Sequence, residues 1–225
     1  MKFYAIQQAE RAAHIYIFGD ITAWRWSEED TSAWSLQQEI KNLDVDEIHV
    51  HIDSCGGHIS EGWGIYNVLR QHKAKIVTYA DGFVASAAIY PFMAGDVRIA
   101  SSVSGFFFHQ VEVTAHGNAD GLRKAADDAE KLNDIGLNAL KDAGIDPEKI
   151  LQLEKEETWL KPSEALALGI ATEIRERDET RTATQSVRRL IMQKLTEKAP
   201  PKPPASNPTP EPAPINRLKA LLSGC

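Results

Sequence analysis

Between residues 14 and 168 the sequence alternates between short runs of strand composition and longer segments in which apolar residues recur with helical spacing. Strands that alternate with helices favour an α/β fold with largely parallel pairing, because a parallel connection needs a crossover segment. The pattern predicts strands at 14–21, 46–54, 74–82, 96–100 and 104–113, and helices at 30–42, 61–72, 86–94, 119–143, from 147 and from 162 to 168.

The composition changes near residue 176. Eight of the eleven prolines fall between Pro200 and Pro214, and such a segment can form neither helix nor sheet. We therefore predict a domain at 1–176 and a tail at 177–225. Within the tail we predict a short amphipathic helix, a disordered proline-rich linker at 199–215 and a terminal helical turn.

Bulk properties exclude several classes of protein. A net charge of −7 argues against a nucleic-acid binder, and no apolar run approaches the roughly 20 residues that a membrane span requires. The N-terminus has no apolar segment typical of a signal peptide. Two cysteines, Cys55 and Cys225, make no disulfide framework, so a cytoplasmic protein is expected.

Ser86 is the lone serine in the apolar, small-residue stretch GFVASAAIYPFMAG (82–95). Its alanine neighbours would let a substrate backbone approach the hydroxyl, and a helix beginning there would offer backbone N–H groups to a developing oxyanion. A helix cap or a small core serine is the structural alternative. His109 follows three phenylalanines on a predicted strand and could act as a general base, or could be an ordinary half-buried histidine.

A paired-glycine turn lies in DSCGGHISEG (53–62), between a predicted strand and a predicted helix. Gly57 could bring a backbone N–H close to a ligand there, or the pair could simply form a tight turn. Glu157, in EKEETWLKPSEALALGIA, could orient a histidine, although Glu154 and Glu156 compete for this role and charge runs are usually solvated.

Two other chemistries are open to the same region. His49, His51 and Asp53 alternate on one strand face with His58 nearby, which could form a zinc site or an ordinary half-exposed strand face. Cys55 could be a thiol nucleophile or a small packed residue.

The order of these motifs resembles one known family. DSCGG, EGWGIYNVL, GFVASAAIYPFMAG, FFFHQ and ETWLKPSEALALGI follow one another as in the proteolytic subunit of the Clp (caseinolytic) protease family, over residues 14–175. More narrowly, the chain resembles phage-encoded, Clp-related head-maturation proteases. The resemblance implies a Clp/crotonase-type α/β fold, a spiral of ββα units, with 119–143 as the projecting helix that joins rings.

The resemblance also implies residue roles. Ser86 matches the nucleophile, His109 the base, and Glu157 stands where the family usually has aspartate. Gly57 and Ala87 match the two backbone donors of the oxyanion hole. No metal or organic cofactor is implied.

Some features depart from the family pattern. Cys55 replaces the usual proline, and the long N-terminal loops that dock an unfoldase ring are not evident, so the sequence does not predict an ATPase partner. The predicted activity is a serine endopeptidase that forms homo-oligomeric rings and acts on capsid or scaffold protein in the host cytoplasm. The alternatives are an acyl-CoA enzyme of the same fold, an inactive assembly or scaffolding protein, and a Ser–Lys dyad that uses Lys161.

Overall fold

The computed structural model describes residues 7–9, 11–22, 32–41 and 43–175. These residues belong to a compact unit that spans Met1–Glu176. The predictions for the tail at 177–225, for its linker at 199–215 and for the N-terminal loops concern residues outside the described ranges.

The described residues form one eight-stranded sheet and six α-helices. The strands are β1 (Gln7–Ala9), β2 (Ala12–Phe18), β3 (Glu47–Ser54), β4 (Lys75–Ala85), β5 (Val97–Ser101), β6 (Gly105–Phe108), β7 (Thr158–Leu160) and β8 (Glu173–Arg175). The helices are α1 (Ala33–Ile40), α2 (Ile59–Arg70), α3 (Ile89–Met93), α4 (Ala119–Asp142), α5 (Pro147–Lys155) and α6 (Pro162–Ala167).

Strand pairing is mainly parallel, as the alternation of strands and helices predicts. The sheet order is β1-β2-β3-β4-β5-β8, and β6 pairs with β4 and with β7. Only β1–β2 and β6–β7 are antiparallel among the described pairs. β4 is long enough to serve two neighbours, because 77–80 pair with β5 and 83–85 pair with β6.

The alternating burial of β2 and β3 explains why these segments form strands. Every second residue is buried, and the intervening positions are partly exposed. The buried side chains, together with apolar residues of α1, α2 and α3, form one continuous core; its largest fully buried members include Ile15, Ile17, Ile48, Ile52, Leu36, Ile65, Leu69 and Phe92.

Helix ends follow local signals. Ser32 caps α1 through a bond from the Ser35 N–H, Asn118 caps α4 through the Gly121 N–H, and Asp146 caps α5 through the Glu148 N–H. Pro147 and Pro162 stand at helix starts, where a missing N–H costs nothing.

The structure shortens one predicted strand at its end and divides one predicted helix. The strand predicted at 104–113 ends at Phe108, because the Val111 N–H donates to the side chain of Asn133 (2.7 Å) instead of joining a strand ladder. The helix predicted at 86–94 is divided into a 3₁₀ turn at Ser86–Ala88 and α3, because Ser86 has a φ of 53°, outside the α-helical region.

The sequence pattern does not predict three of the strands, β1, β7 and β8. Each has three residues, too few for a period of two to be recognised. Within the described ranges, no helix combines the length and apolar character needed to cross a bilayer.

Candidate active site

Two of the predicted site residues are in direct contact. Oγ of Ser86 and Nε2 of His109 lie 2.7 Å apart, a hydrogen-bond distance. Ser86 follows the last residue of β4, and His109 follows the last residue of β6, which is β4's parallel neighbour. The carboxyl ends of adjacent parallel strands meet at one sheet edge, so this topology brings together residues 23 positions apart.

The backbone of Ser86 is strained. Its φ of 53° is uncommon for a residue with a side chain and costs on the order of 1–2 kcal/mol. This left-handed conformation ends β4 and begins the 3₁₀ turn. Ser86 is partly exposed there, between the buried residues Ala85 and Ala87. Ala85, Ala87 and Ala88 keep the surroundings of the hydroxyl free of bulk, as the sequence predicts.

The paired-glycine turn packs against the same point. A Cβ on Gly56 would lie 2.7 Å from the Cβ of Ser86 and 2.9 Å from the Ala87 nitrogen, so the turn approaches Ser86 as only glycine can. Gly57 has a φ of 138°, and a Cβ there would lie 2.2 Å from the carbonyl oxygen of Ile21. No described group accepts a hydrogen bond from the Gly57 N–H.

The turn is held from its outer side by Ile21. The Ile21 N–H donates to the Gly56 carbonyl (2.8 Å), and the His58 N–H donates to the Ile21 carbonyl (2.8 Å). These bonds leave the intervening Gly57 N–H available for a ligand. Ala87 lies in the first turn of the 3₁₀ helix, where N–H groups have no partner within the helix.

A cleft of about 460 Å³ contains the contact between Ser86 and His109. Gly57 and Ala87 also line it, as do Ile89, Tyr90, Leu140, Asn133 and Glu154. The loop after His109 forms one wall and is fixed by the bond from the Val111 N–H to Asn133, a buried residue of α4.

The ring of His109 is oriented by an aromatic stack. It lies on Phe107 with centroids 5.5 Å apart, and Phe107 stacks on Trp159 at 4.8 Å. Trp159 contacts Phe83 at 5.2 Å and is half exposed. The stack restricts the imidazole to one plane, which favours a stable contact with Ser86.

Glu157 is not joined to His109 in the structure. Its side chain is exposed, and within the described part of the chain it makes no hydrogen bond or ion pair. Glu157 directly precedes β7 and has a φ of 47°, outside the strand conformation. Phe108 pairs with Thr158 as the last pair of the antiparallel β6–β7 ladder, and His109 and Glu157 are the chain neighbours of that pair.

Glu154, which the sequence offers as a competitor of Glu157, lines the cleft, and so does Asn133, which the sequence does not single out. Helical spacing indicates that both residues face inward, because residues four apart lie on one face of a helix. Glu154 lies four residues after the fully buried Ile150, and Asn133 lies four residues before the buried Leu137. Burial raises the pKa of Glu154 to about 7.

The alternative nucleophiles and metal ligands lie elsewhere. Lys161 does not line the cleft, and its exposed Nζ lies 3.4 Å from a carboxylate oxygen of Glu164. Cys55 is exposed and does not line the cleft either. The structure therefore does not support the Ser–Lys dyad or a thiol nucleophile.

His49 and His51 take part in an aromatic cluster on the sheet face. His51 Nδ1 lies 2.6 Å from Asp81, His49 Nδ1 lies 2.9 Å from the Tyr79 hydroxyl, and both rings stack on neighbours. Asp53 accepts from the Phe83 N–H, and His58 lines the cleft. Across the described ranges, no three histidine, cysteine or acidic residues are grouped so that they could hold a metal ion.

Comparison with known proteins identifies the family. The family model described as Clp protease matches residues 6–178. The chain belongs to the Clp protease family. This family membership indicates a peptidase, a hydrolase of peptide bonds.

Relatives of known name are Clp proteolytic subunits. The ATP-dependent Clp protease proteolytic subunit 2 of Treponema pallidum (strain Nichols) is 30% identical over 143 residues, covering 61% of this chain and 71% of that protein. Proteolytic subunit 3 of Rhizobium meliloti (strain 1021) is 26% identical over 167 residues, covering 73% and 84%. A ClpP1 mutant from Listeria monocytogenes has a TM-score of 0.58 at 23% identity, covering 74% and 92%, and confirms the predicted fold.

Proposed function

We propose that this protein is a serine endopeptidase in which Ser86 is the nucleophile and His109 the general base. The observation that carries the proposal is the 2.7 Å contact between Ser86 Oγ and His109 Nε2, beside the paired-glycine turn. An enzyme of the same fold that acts on acyl-CoA thioesters would have no need of such a contact.

The chemistry proceeds in two halves. Ser86 Oγ attacks the carbonyl carbon of the scissile peptide bond and transfers its proton to His109 Nε2. The tetrahedral oxyanion accepts hydrogen bonds from the N–H groups of Gly57 and Ala87, and each such donor is worth about 10²–10³ in rate. The C–N bond then breaks, and the amine leaves with the proton from His109.

Water completes the cycle. His109 takes a proton from a water molecule, whose oxygen attacks the acyl carbon. The ester C–O bond then breaks, His109 returns the proton to Ser86 Oγ, and the carboxylic acid product leaves. Glu157, which directly precedes β7 as His109 directly follows β6, orients the imidazole so that Nε2 faces Ser86 and stabilises the imidazolium. This step requires a rotation of the exposed Glu157 side chain toward His109 Nδ1.

The experiment is covalent labelling by a fluorophosphonate, combined with peptide cleavage. Wild-type protein should label at Ser86 and cleave peptides, whereas Ser86→Ala should do neither. His109→Ala should lose at least about 10³-fold in both rates, because the base is absent. Full activity of Ser86→Ala would refute the proposal, and failure of a folded wild-type protein to label would favour an assembly or scaffolding role.

We further propose that the protein works as a homo-oligomeric ring in the host cytoplasm, cleaving capsid or scaffold protein during phage head assembly. Resemblance to phage-encoded members supports capsid or scaffold protein as the substrate. Helix α4 supports the proposal of a ring, because its apolar residues Leu122 and Ile135 are about half exposed and are available for an interface between subunits. Sedimentation should detect an oligomer at micromolar concentration, and incubation with the capsid protein encoded in the same genome should give discrete cleavage products.

A further inference from the structure

The cleft beside Ser86 contains a buried carboxyl group that the proposed mechanism does not use. Glu154 projects from the last turns of α5, and only 7% of its surface is exposed. Its side chain lines the same cleft as Ser86 and His109. A substrate side chain that enters this part of the cleft would therefore lie beside Glu154.

Nothing in the described part of the protein neutralises this group. Oε2 of Glu154 has no hydrogen-bond partner and is shielded from solvent by the surrounding protein. No lysine or arginine lines the cleft, where the other titratable residues are His58, Tyr90, His109 and Glu112. An unpaired carboxylate in such a place is costly, and desolvation alone raises its pKa to about 7.

The rest of the cleft suits a long side chain with an apolar stem. Ile89, Tyr90 and Leu140 line it together with Glu154. A lysine or arginine side chain has this combination of an apolar stem and a cationic head that donates several hydrogen bonds. An aliphatic side chain would fill the apolar part of the cleft and leave Glu154 Oε2 unpaired.

We infer that Glu154 makes this cleft a recognition site for a lysine or arginine side chain of the substrate, at the residue whose carbonyl Ser86 attacks (the P1 residue). This inference rests on the proposed peptidase function and adds its substrate class. Specificity follows because a buried polar group left without a partner discriminates strongly against the substrate that cannot pair with it.

The test compares peptides that differ at P1 alone. Lysine and norleucine form the sharpest pair, because norleucine keeps the aliphatic chain and lacks the amine. Wild-type protein should cleave the lysine peptide with a kcat/KM about 10- to 100-fold higher than the norleucine peptide. Glu154→Gln should reduce this ratio to within about 3-fold of one, mainly by slowing cleavage of the lysine peptide.

Glu156→Gln is the matched control, because Glu156 is exposed two residues away and does not line the cleft. It should keep the wild-type ratio. Fluorophosphonate labelling of Ser86 in each variant verifies that the catalytic site is intact. If Glu154→Gln does not fold, the wild-type protein still provides a test: its lysine-to-norleucine ratio should rise as the pH increases through about 7, because Glu154 ionises.

Three results would overturn the inference. These are a wild-type protein that labels with fluorophosphonate but shows no preference for lysine or arginine, a Glu154→Gln variant that loses rate equally on both peptides, and a wild-type ratio that stays constant with pH. The second result would make Glu154 a structural residue or part of the catalytic relay. If the wild-type protein neither labels nor cleaves any peptide, the peptidase proposal itself fails, and the inference fails with it.

Discussion

Oγ of Ser86 lies 2.7 Å from Nε2 of His109, and the backbone of Ser86 has a φ of 53°. The left-handed conformation turns the chain sharply between β4 and the 3₁₀ helix and leaves Ser86 partly exposed beside His109. The contact is thus obtained at the cost of backbone strain, which stability measurements can detect.

Ser86→Gly should be more stable than Ser86→Ala by about 0.5–1 kcal/mol. Both variants lack the hydroxyl and should be inactive, but only glycine adopts the positive φ without strain. Urea unfolding of the two variants measures the difference directly. Equal stability, or a more stable alanine variant, would show that Ser86 is not strained in solution.

Gly57→Ala should reduce peptidase activity by at least about 10²-fold. A Cβ at this position would lie 2.2 Å from the Ile21 carbonyl oxygen, so the turn must move and its N–H leaves the oxyanion position. The matched control is Gly144→Ala, because Gly144 also has a positive φ (78°) and nothing lies within 4 Å of its added Cβ. The control should lose stability but keep kcat, whereas an active Gly57→Ala variant would exclude Gly57 from the oxyanion hole.

The sequence predicts the parts of the fold that depend on local patterns. Alternation along β2 and β3 identifies the central strands, and the paired glycines identify the turn that reaches Ser86. The order of motifs then identifies the family, and the structure brings Ser86 and His109 together.

Features that depend on distant residues could not be predicted. β6 ends early because Asn133, 22 residues after Val111, takes the Val111 N–H. β7 exists because β6 offers it an antiparallel edge, although Thr158–Leu160 is too short to show a pattern. Glu154 belongs to a charged run typical of a solvated surface, yet packing of α5 places it in the cleft.

Glu157→Gln should lower kcat by about 10²-fold or more on every peptide, whatever its P1 residue. The amide cannot stabilise the imidazolium that forms when His109 accepts the proton of Ser86. Steady-state kinetics on the lysine and norleucine peptides measures the effect, with Glu156→Gln as the exposed neighbour for comparison. A Glu157→Gln variant with wild-type kcat would exclude Glu157 from the relay.

The aromatic cluster on the sheet face should make stability decrease at acidic pH. Burial and the neighbouring rings lower the pKa of His14, and burial is the main cause of the lowered pKa of His49. Their neutral forms are therefore favoured in the folded protein, so this contribution is complete above about pH 6.5 and is lost as the pH falls through the lower folded pKa values. Glu47 and Asp81, which face the cluster, moderate the effect.

His14→Phe keeps a ring in the stack and removes one titrating group. The difference in unfolding free energy between pH 7 and pH 5 should become smaller by less than about 1 kcal/mol, since the rings are partly exposed to solvent. His116→Phe, at an exposed position outside the cluster, should keep the wild-type pH dependence. An unchanged slope in His14→Phe would show that His14 does not titrate differently on folding.

Glu154 should lower the free energy of unfolding at pH values at which its carboxyl group is ionised. Its folded pKa of about 7 lies above the ordinary value of 4.5, so the folded protein holds the proton more tightly than the unfolded chain. The carboxyl group therefore imposes no penalty below about pH 4.5, and the penalty grows as the pH rises to about 7 and is constant above it. Glu154→Gln removes the titration, so it should stabilise the protein at pH 8 by about 1–3 kcal/mol relative to its effect at pH 5.

Urea unfolding of wild type, Glu154→Gln and the exposed control Glu156→Gln at pH 5 and pH 8 measures this difference. A gain at pH 8 that is absent at pH 5, combined with a lost preference for lysine at P1, would show that the protein keeps a destabilising carboxylate because the substrate compensates for it. If Glu154→Gln changes stability equally at the two pH values, the carboxyl group is already paired or solvated in the folded protein. A cationic side chain would then gain nothing special from meeting it in the cleft.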